Sequence, residues 1–305
     1  MKCATGYGMM GRARTMNANR ISYYFNAKGP SVVIGCTWEE SLEILSVASQ
    51  LISEGHAVAA IVGVTNMITS PEVSFAIDCM GRLTQGNQTK SFSNDADGYN
   101  RSEACVVFFL QRADHARRSY GSVVKVLSTN FGSREQTITG HSPDLYTRFL
   151  RQAYDGIDRT KLGFVELDGS ANKNTDAMEL NTANEVINEG REKPLLVGSI
   201  KSNLGHTETA SGFVSIVKAL IALDTGIIPP NLHFSQPNTG SPALTQGKLQ
   251  VTITTTTMSS TLYNTRYTGH ATPTIMVFLL YPTKGVKFQF CFSKSDSIVQ
   301  NREAL

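Results

Sequence analysis

Two spacings of apolar residues alternate along the chain. Residues 31–35 (Ser-Val-Val-Ile-Gly) are a short β-branched run, which predicts a strand. From Glu39 onward the apolar positions Leu42, Leu45, Val47, Ala48, Leu51 and Ile52 recur at mostly helical spacing, and Gly55 ends the pattern. This predicts a helix over 39–54 packed on the strand. Ala57–Val64 is a second continuous apolar run, as in a strand buried on both faces, so the three segments read as a βαβ unit with 31–35 as a central strand. Further strands are predicted at 105–110, 122–127, 164–167, 195–197, 249–253 and 275–280, with helices near 145–154, 176–188 and 209–223. Alternation of this kind favours a layered α/β fold. Residues 254–261 read as an exposed connection, and no clear period is assigned from Thr283 to the end.

Composition narrows the class. With 41% hydrophobic and 17% charged residues the chain is globular and not a solvated tail. A net charge of +3, from 28 basic against 25 acidic residues without a dense Lys/Arg block, argues against nucleic acid as a partner. The five cysteines (Cys3, Cys36, Cys79, Cys105 and Cys291) are odd in number and lack metal-ligand spacing, so they read as reduced thiols of a cytoplasmic protein with no metal. No apolar run approaches the ~20 residues of a membrane span, so no membrane is expected as a partner.

Candidate chemistry enters with Lys201-Ser202-Asn203-Leu204-Gly205-His206, which follows Leu195–Ser199 and precedes Ala210-Ser211-Gly212 and Pro230–Phe234. Arg20–Tyr23, Gly29–Val32, Gly98–Glu103 and Pro242–Gly247 stand around it in a fixed order. Together these segments resemble the β-ketoacyl synthase (ketosynthase) domain of animal-type fatty acid synthases and polyketide synthases, over roughly residues 16–280. The resemblance implies a thiolase-like layered α/β/α/β/α fold whose first half is incomplete in this chain. The implied division is a remnant of the N-terminal half over 1–120, the C-terminal half over 121–282 and an unassigned tail over 283–305.

Members of that family load an acyl chain on a cysteine at a helix N-terminus, where the helix dipole favours the thiolate. Two histidines then stabilise charge developing on a malonyl thioester. The family's nucleophile motif aligns without a gap on Gly35-Cys36-Thr37-Trp38-Glu39-Glu40-Ser41-Leu42, so the resemblance puts Trp38 at the nucleophile position. Indole nitrogen has no lone pair for attack, and no acyl-enzyme forms on it. Thr37–Glu40 reads in its own right as a capping box. Cys36, two residues earlier, is the one substitute nucleophile, against a structural buried thiol.

The family's first histidine corresponds to Asp168 in Glu166-Leu167-Asp168-Gly169, where a carboxylate would repel a malonyl carboxylate. Lys201 and His206 keep their motif, with His206 at the second histidine. Asp176 and Glu179 read as structural carboxylates at a helix start. The glycine-rich gate loop of the family appears as Asn264–His270 with most of its glycines gone. Trp38, Asp168, Lys201 and His206 are expected around one pocket.

The expected function is therefore that of a ketosynthase-like domain unable to condense. Its implied partners are an acyl carrier protein or acyl thioester, and a homodimer or a heterodimer with an active ketosynthase, with no cofactor. The alternatives are a decayed fragment and an acyltransferase using Cys36.

Overall fold

The computed structural model describes residues 6–35, 40–129, 142–258, 274–279 and 287–293. In chain order these form α1 (Gly6–Arg12), α2 (Met16–Tyr24), α3 (Glu40–Ser53), β1 (Ala59–Asn66), α4 (Pro71–Cys79), β2 (Ala104–Gln111) and β3 (Ser122–Thr129). There follow α5 (Pro143–Ala153), β4 (Leu162–Glu166), α6 (Lys173–Ile187), β5 (Leu195–Gly198), α7 (Lys201–Leu204) and α8 (Ser211–Thr225). β6 (Ile227–Ile228), α9 (Pro242–Thr245), β7 (Leu249–Val251), β8 (Thr256–Thr257), β9 (Thr274–Leu279) and β10 (Lys287–Ser293) complete the order.

The principal sheet has six strands in the order β3-β10-β9-β4-β5-β7. Its centre is parallel, β9 with β4, β4 with β5 and β5 with β7, whereas β10 runs antiparallel to both β3 and β9. Buried parallel strands need cover on both faces. One face carries α5, α6 and α9, through Phe149, Leu150, Leu180, Val186 and Leu244 packed on Val165, Leu195 and Val197. The opposite face carries α8 and α3, through Phe213, Ile216, Ala219, Leu42 and Leu45 around Phe164. Beyond this helical layer lies the antiparallel pair β1–β2, whose inward side chains Val62, Val106 and Phe108 join the same cluster. Helix, sheet, helix and sheet layers thus follow one another, as the layered reading expected.

α8 shows why the layers sit where they do. Its sequence, Ser211-Gly-Phe-Val-Ser-Ile-Val-Lys-Ala-Leu-Ile-Ala-Leu, is apolar on most sides, and such a helix belongs between two layers. Each fully buried large side chain there, such as Phe213, contributes on the order of 1.5–3 kcal/mol. Gly212 sets the spacing: a Cβ on it would lie 2.5 Å from Leu42 of α3. Gly226, left-handed at φ 74°, ends the helix.

Four readings need correction. Residues 31–35 are not a strand; Val32 and Val33 are 44% and 37% exposed, and no described strand lies beside them. A β-branched run stays extended without a ladder when no neighbour supplies its hydrogen bonds. The βαβ unit fails with it, since α3 packs on α8 and β1, and β1 pairs antiparallel with β2. The stretch read as a plain connection contains β8, which pairs with β6, while 259–261 lie outside the described residues. The unassigned tail holds β10, a strand inserted between β3 and β9.

No helix among the described residues is long and apolar enough to cross a membrane.

Candidate active site

The ends of β4 and β5 deliver the site. Parallel neighbours in register, Glu166 beside Gly198, bring the segment after β4 against the segment after β5. Ser199 Oγ donates to the Asp168 carbonyl at 2.7 Å, and Leu167 N–H donates to the Gly198 carbonyl at 2.8 Å. Asp168 and Lys201 are each 1% exposed, and their side chains form an ion pair. Gly169, at φ 53°, is required here, because a Cβ would meet Phe92 and Ser199 at 2.7 Å.

Asp168 lies among other buried carboxylates. Glu179, from the second turn of α6, accepts the amide N–H groups of Asp168 and Gly169 at 2.7 and 3.0 Å. Asp176 accepts from Phe92 N–H at 2.9 Å. Burial, with the charge of Asp168 next, pushes the Glu179 carboxyl well above the ordinary range. Burial pushes Asp176 up to about 7, against the opposing pull of the Phe92 amide. α6 itself is set by Asn172, whose side chain accepts from Thr175 N–H at 3.2 Å and starts the helix three residues before Asp176 was expected to.

His206 is 1% exposed and packs against Tyr99 in a tilted ring contact, the centroids 4.4 Å apart and the planes 59° from parallel. Its Nδ1 accepts the Glu208 amide N–H at 3.0 Å, so the neutral ring carries its proton on Nε2. Burial first, then the charges of Lys201, Arg82 and Arg101, hold its pKa well below the usual histidine value. His206 N–H donates to the Asn100 carbonyl at 2.7 Å, and Ser102 N–H donates to the His206 carbonyl at 3.0 Å, which locks the ring position to the Gly98–Glu103 segment. Arg101 grips Glu208 with two bonds of 2.5 and 2.9 Å, although Glu208 sits at φ 44°, a costly conformation for a non-glycine residue.

Asp168 and Lys201 pair directly, and the charge of Lys201 is felt at His206. Cys36, Thr37, Trp38 and Glu39, and with them all of the capping box but Glu40, lie outside the described residues, as does the gate loop 264–270. Ser41, near the start of α3, is buried against Gly212, which follows the 3₁₀ turn Glu208–Ala210. Asp176 and Glu179, read as structural, stand inside the electrostatic circle of Asp168.

Sequence reasoning passed over a second buried ion pair. Glu166 and Lys218 are almost wholly buried and lie 2.8 Å apart. A single lysine inside the apolar run Phe213–Leu223 was its visible signal, since a buried ammonium needs a partner. Tyr99 and Arg101 stand in a quoted motif without a role, and Glu208, the partner of Arg101, was not singled out.

In chemical terms the His206 ring is neutral with its proton on Nε2, and the Lys201 ammonium is matched by the Asp168 carboxylate. An imidazole N–H stabilises a carbonyl oxygen, whereas the Asp168 carboxylate opposes added negative charge beside it.

The arrangement places the chain among thiolase-like condensing domains. The ketosynthase from module 6 of the bacillaene synthase from Bacillus subtilis 168 superposes with a TM-score of 0.85 at 25% identity, covering 96% of this chain and 53% of that one. The oxazolomycin ketosynthase domain OzmH KS7 of Streptomyces albus JA3453 has the same fold, with a TM-score of 0.84 at 22% identity. In sequence, the β-ketoacyl synthase N-terminal domain matches residues 2–116 and the β-ketoacyl synthase C-terminal domain matches residues 120–235. A fatty acid synthase of Anser anser anser is 36% identical over 224 residues, 73% of this chain and 64% of that one. A highly reducing polyketide synthase of Aspergillus fumigatus is 37% identical over 240 residues, 77% of this chain and 9% of that one. The chain belongs to the β-ketoacyl synthase family, of the fatty acid or polyketide synthase type. It spans about half the length of the solved ketosynthases it matches.

Proposed function

We propose that this chain is a ketosynthase domain that does not condense, retained for what it binds and not for what it makes. The observation that carries this reading is the buried ion pair of Lys201 with Asp168. The resemblance puts a histidine where Asp168 stands, beside a lysine and a second histidine. With a carboxylate there, the lysine charge is spent inside the protein, and a malonyl carboxylate or a forming enolate meets repulsion from Asp168. Trp38 at the aligned nucleophile position supports the same conclusion independently, because the chemistry needs a thiolate to carry the acyl group.

A neutral His206 ring with its proton on Nε2 is of the kind that donates to a carbonyl oxygen. An acyl thioester or an acyl-loaded carrier protein has such a carbonyl, and a homodimer or an active ketosynthase is the accompanying partner chain. In this reading 1–120 is the remnant N-terminal half, 121–282 the C-terminal half and 283–305 a tail, in a cytoplasmic protein.

The test is intact-mass spectrometry after incubation with acyl thioesters, with Cys36→Ala as control. The mass is expected to stay unchanged in both proteins. A stoichiometric acyl adduct that disappears in Cys36→Ala would overturn the reading in favour of an acyltransferase.

A further inference from the structure

The Glu166–Lys218 pair has no part in the chemistry above, yet its geometry points at the site. Lys218 reaches from the middle of α8 to Glu166 Oε2 at 2.8 Å, with its ammonium 5.4 Å from the Phe164 ring centroid. Gly198 gives it room: a Cβ there would lie 3.2 Å from Lys218 Nζ, tighter than an ordinary contact. The other carboxylate oxygen, Glu166 Oε1, accepts the Ile200 amide N–H at 2.5 Å. Ile200 is the residue from which α7 starts, and Lys201 follows it directly. Asp168 in turn stands two positions past Glu166 on the same segment.

One carboxylate therefore ties the end of β4 to α8 with one oxygen and to the start of α7 with the other. A well-packed apolar pair would hold β4 to α8 at least as well, because a buried ion pair gains little over hydrophobic residues of similar volume. An apolar pair cannot accept the Ile200 N–H, and a buried amide without an acceptor carries a full desolvation cost. We infer that Glu166, oriented by Lys218, is a positioning residue: it fixes the first turn of α7 so that the Lys201 ammonium meets Asp168. The inference concerns how the site is assembled and holds whether or not the domain condenses.

Two double variants of the 305-residue chain separate positioning from bracing. Glu166→Gln with Lys218→Met removes both charges and keeps an acceptor for Ile200. Glu166→Leu with Lys218→Met removes the acceptor as well. The readout is the rate at which acetic anhydride acetylates Lys201, followed by peptide mass spectrometry, with exposed Lys161 as reference and urea unfolding to give the globally unfolded fraction. Lys201 protection is expected to stay at the wild-type level in the Gln/Met variant. In the Leu/Met variant it should fall by about tenfold or more beyond what global unfolding accounts for, as local opening at an unsatisfied amide predicts. Equal protection of Lys201 in the two double variants, or a fall that global unfolding explains in full, would reduce the pair to a brace and overturn the inference. If the Leu/Met variant does not fold, the Gln/Met variant decides: a folded Gln/Met protein that has lost Lys201 protection contradicts the inference, and one that keeps it together with a slowly exchanging Ile200 amide supports it.

Discussion

Replacing Lys201 with methionine keeps the length of the buried side chain and deletes the ammonium that faces Asp168. Both partners are 1% exposed, so water screens little of their attraction. Removing one member of such a buried pair costs about 3–5 kcal/mol, against a total stability of roughly 5–15 kcal/mol for a folded domain. The loss should sit toward the upper end, because Asp176 and Glu179 stand near Asp168 and the cluster keeps all three carboxyl groups when the cation goes. Adding Asp168→Leu to Lys201→Met replaces the pair by apolar groups, and most of the lost stability should return, since an apolar pair of similar volume is often neutral. Urea unfolding of the wild type, both single variants and the double variant, followed by far-ultraviolet circular dichroism at pH 7.5, closes the cycle. A Lys201→Met cost below about 1 kcal/mol, or a double variant in which the two losses simply add, would refute the reasoning that the pair is coupled and desolvated.

The buried carboxylate Asp176, raised from 3.8 to about 7, makes a prediction about pH. The native state holds that proton where the unfolded state has lost it, so its stabilising contribution is complete below the unfolded value and is lost as pH rises toward 7. Asp176→Asn should therefore gain stability relative to wild type between pH 4 and pH 7, by at most about 4 kcal/mol, and a flat difference across that range in urea titrations contradicts it. Gly212→Ala should destabilise by about 1–3 kcal/mol although alanine favours helices, because its Cβ would be 2.5 Å from Leu42. Faster hydrogen exchange in α3 should accompany the loss, and a stabilised Gly212→Ala variant would mean that α3 does not press on α8 as described.

The elements that the sequence disclosed are those whose burial is decided locally. β4, β5, α6 and α8 fall where period and caps put them, because each is surrounded and its apolar pattern is continuous. Residues 31–35 have the same β-branched chemistry as β1, but a strand is a relation between two segments, and composition does not contain the partner. β10 carried a signal that went unread: Phe288, Phe290 and Phe292 alternate with Gln289 and Cys291, which is period two over a short span. α1, α2 and α4 were missed because they bury little and so lack a continuous apolar stripe.

The site divides along the same line. Asp168, Lys201 and His206 stand in motif order, and Asp168 and Lys201 meet in space because parallel register fixes the ends of β4 and β5. The proton on His206 Nε2 and the Glu166–Lys218 pair depend on distances that no spacing encodes. The lone lysine in α8 and the conformational cost at Glu208 become meaningful only with their partners in view.

Condensation itself is the most direct measurement of the central claim. The folded chain, its secondary structure verified by circular dichroism, is incubated with an acyl thioester and carbon-14 carboxyl-labelled malonyl thioester on carrier protein, beside an active ketosynthase. Released carbon dioxide and β-ketoacyl product are counted in the same reaction. With Asp168 paired to Lys201 and, in the proposed reading, Trp38 in place of the nucleophile, neither should rise above the protein-free background, while the active enzyme yields both. Stoichiometric release of carbon dioxide with β-ketoacyl product from the folded chain would contradict the account.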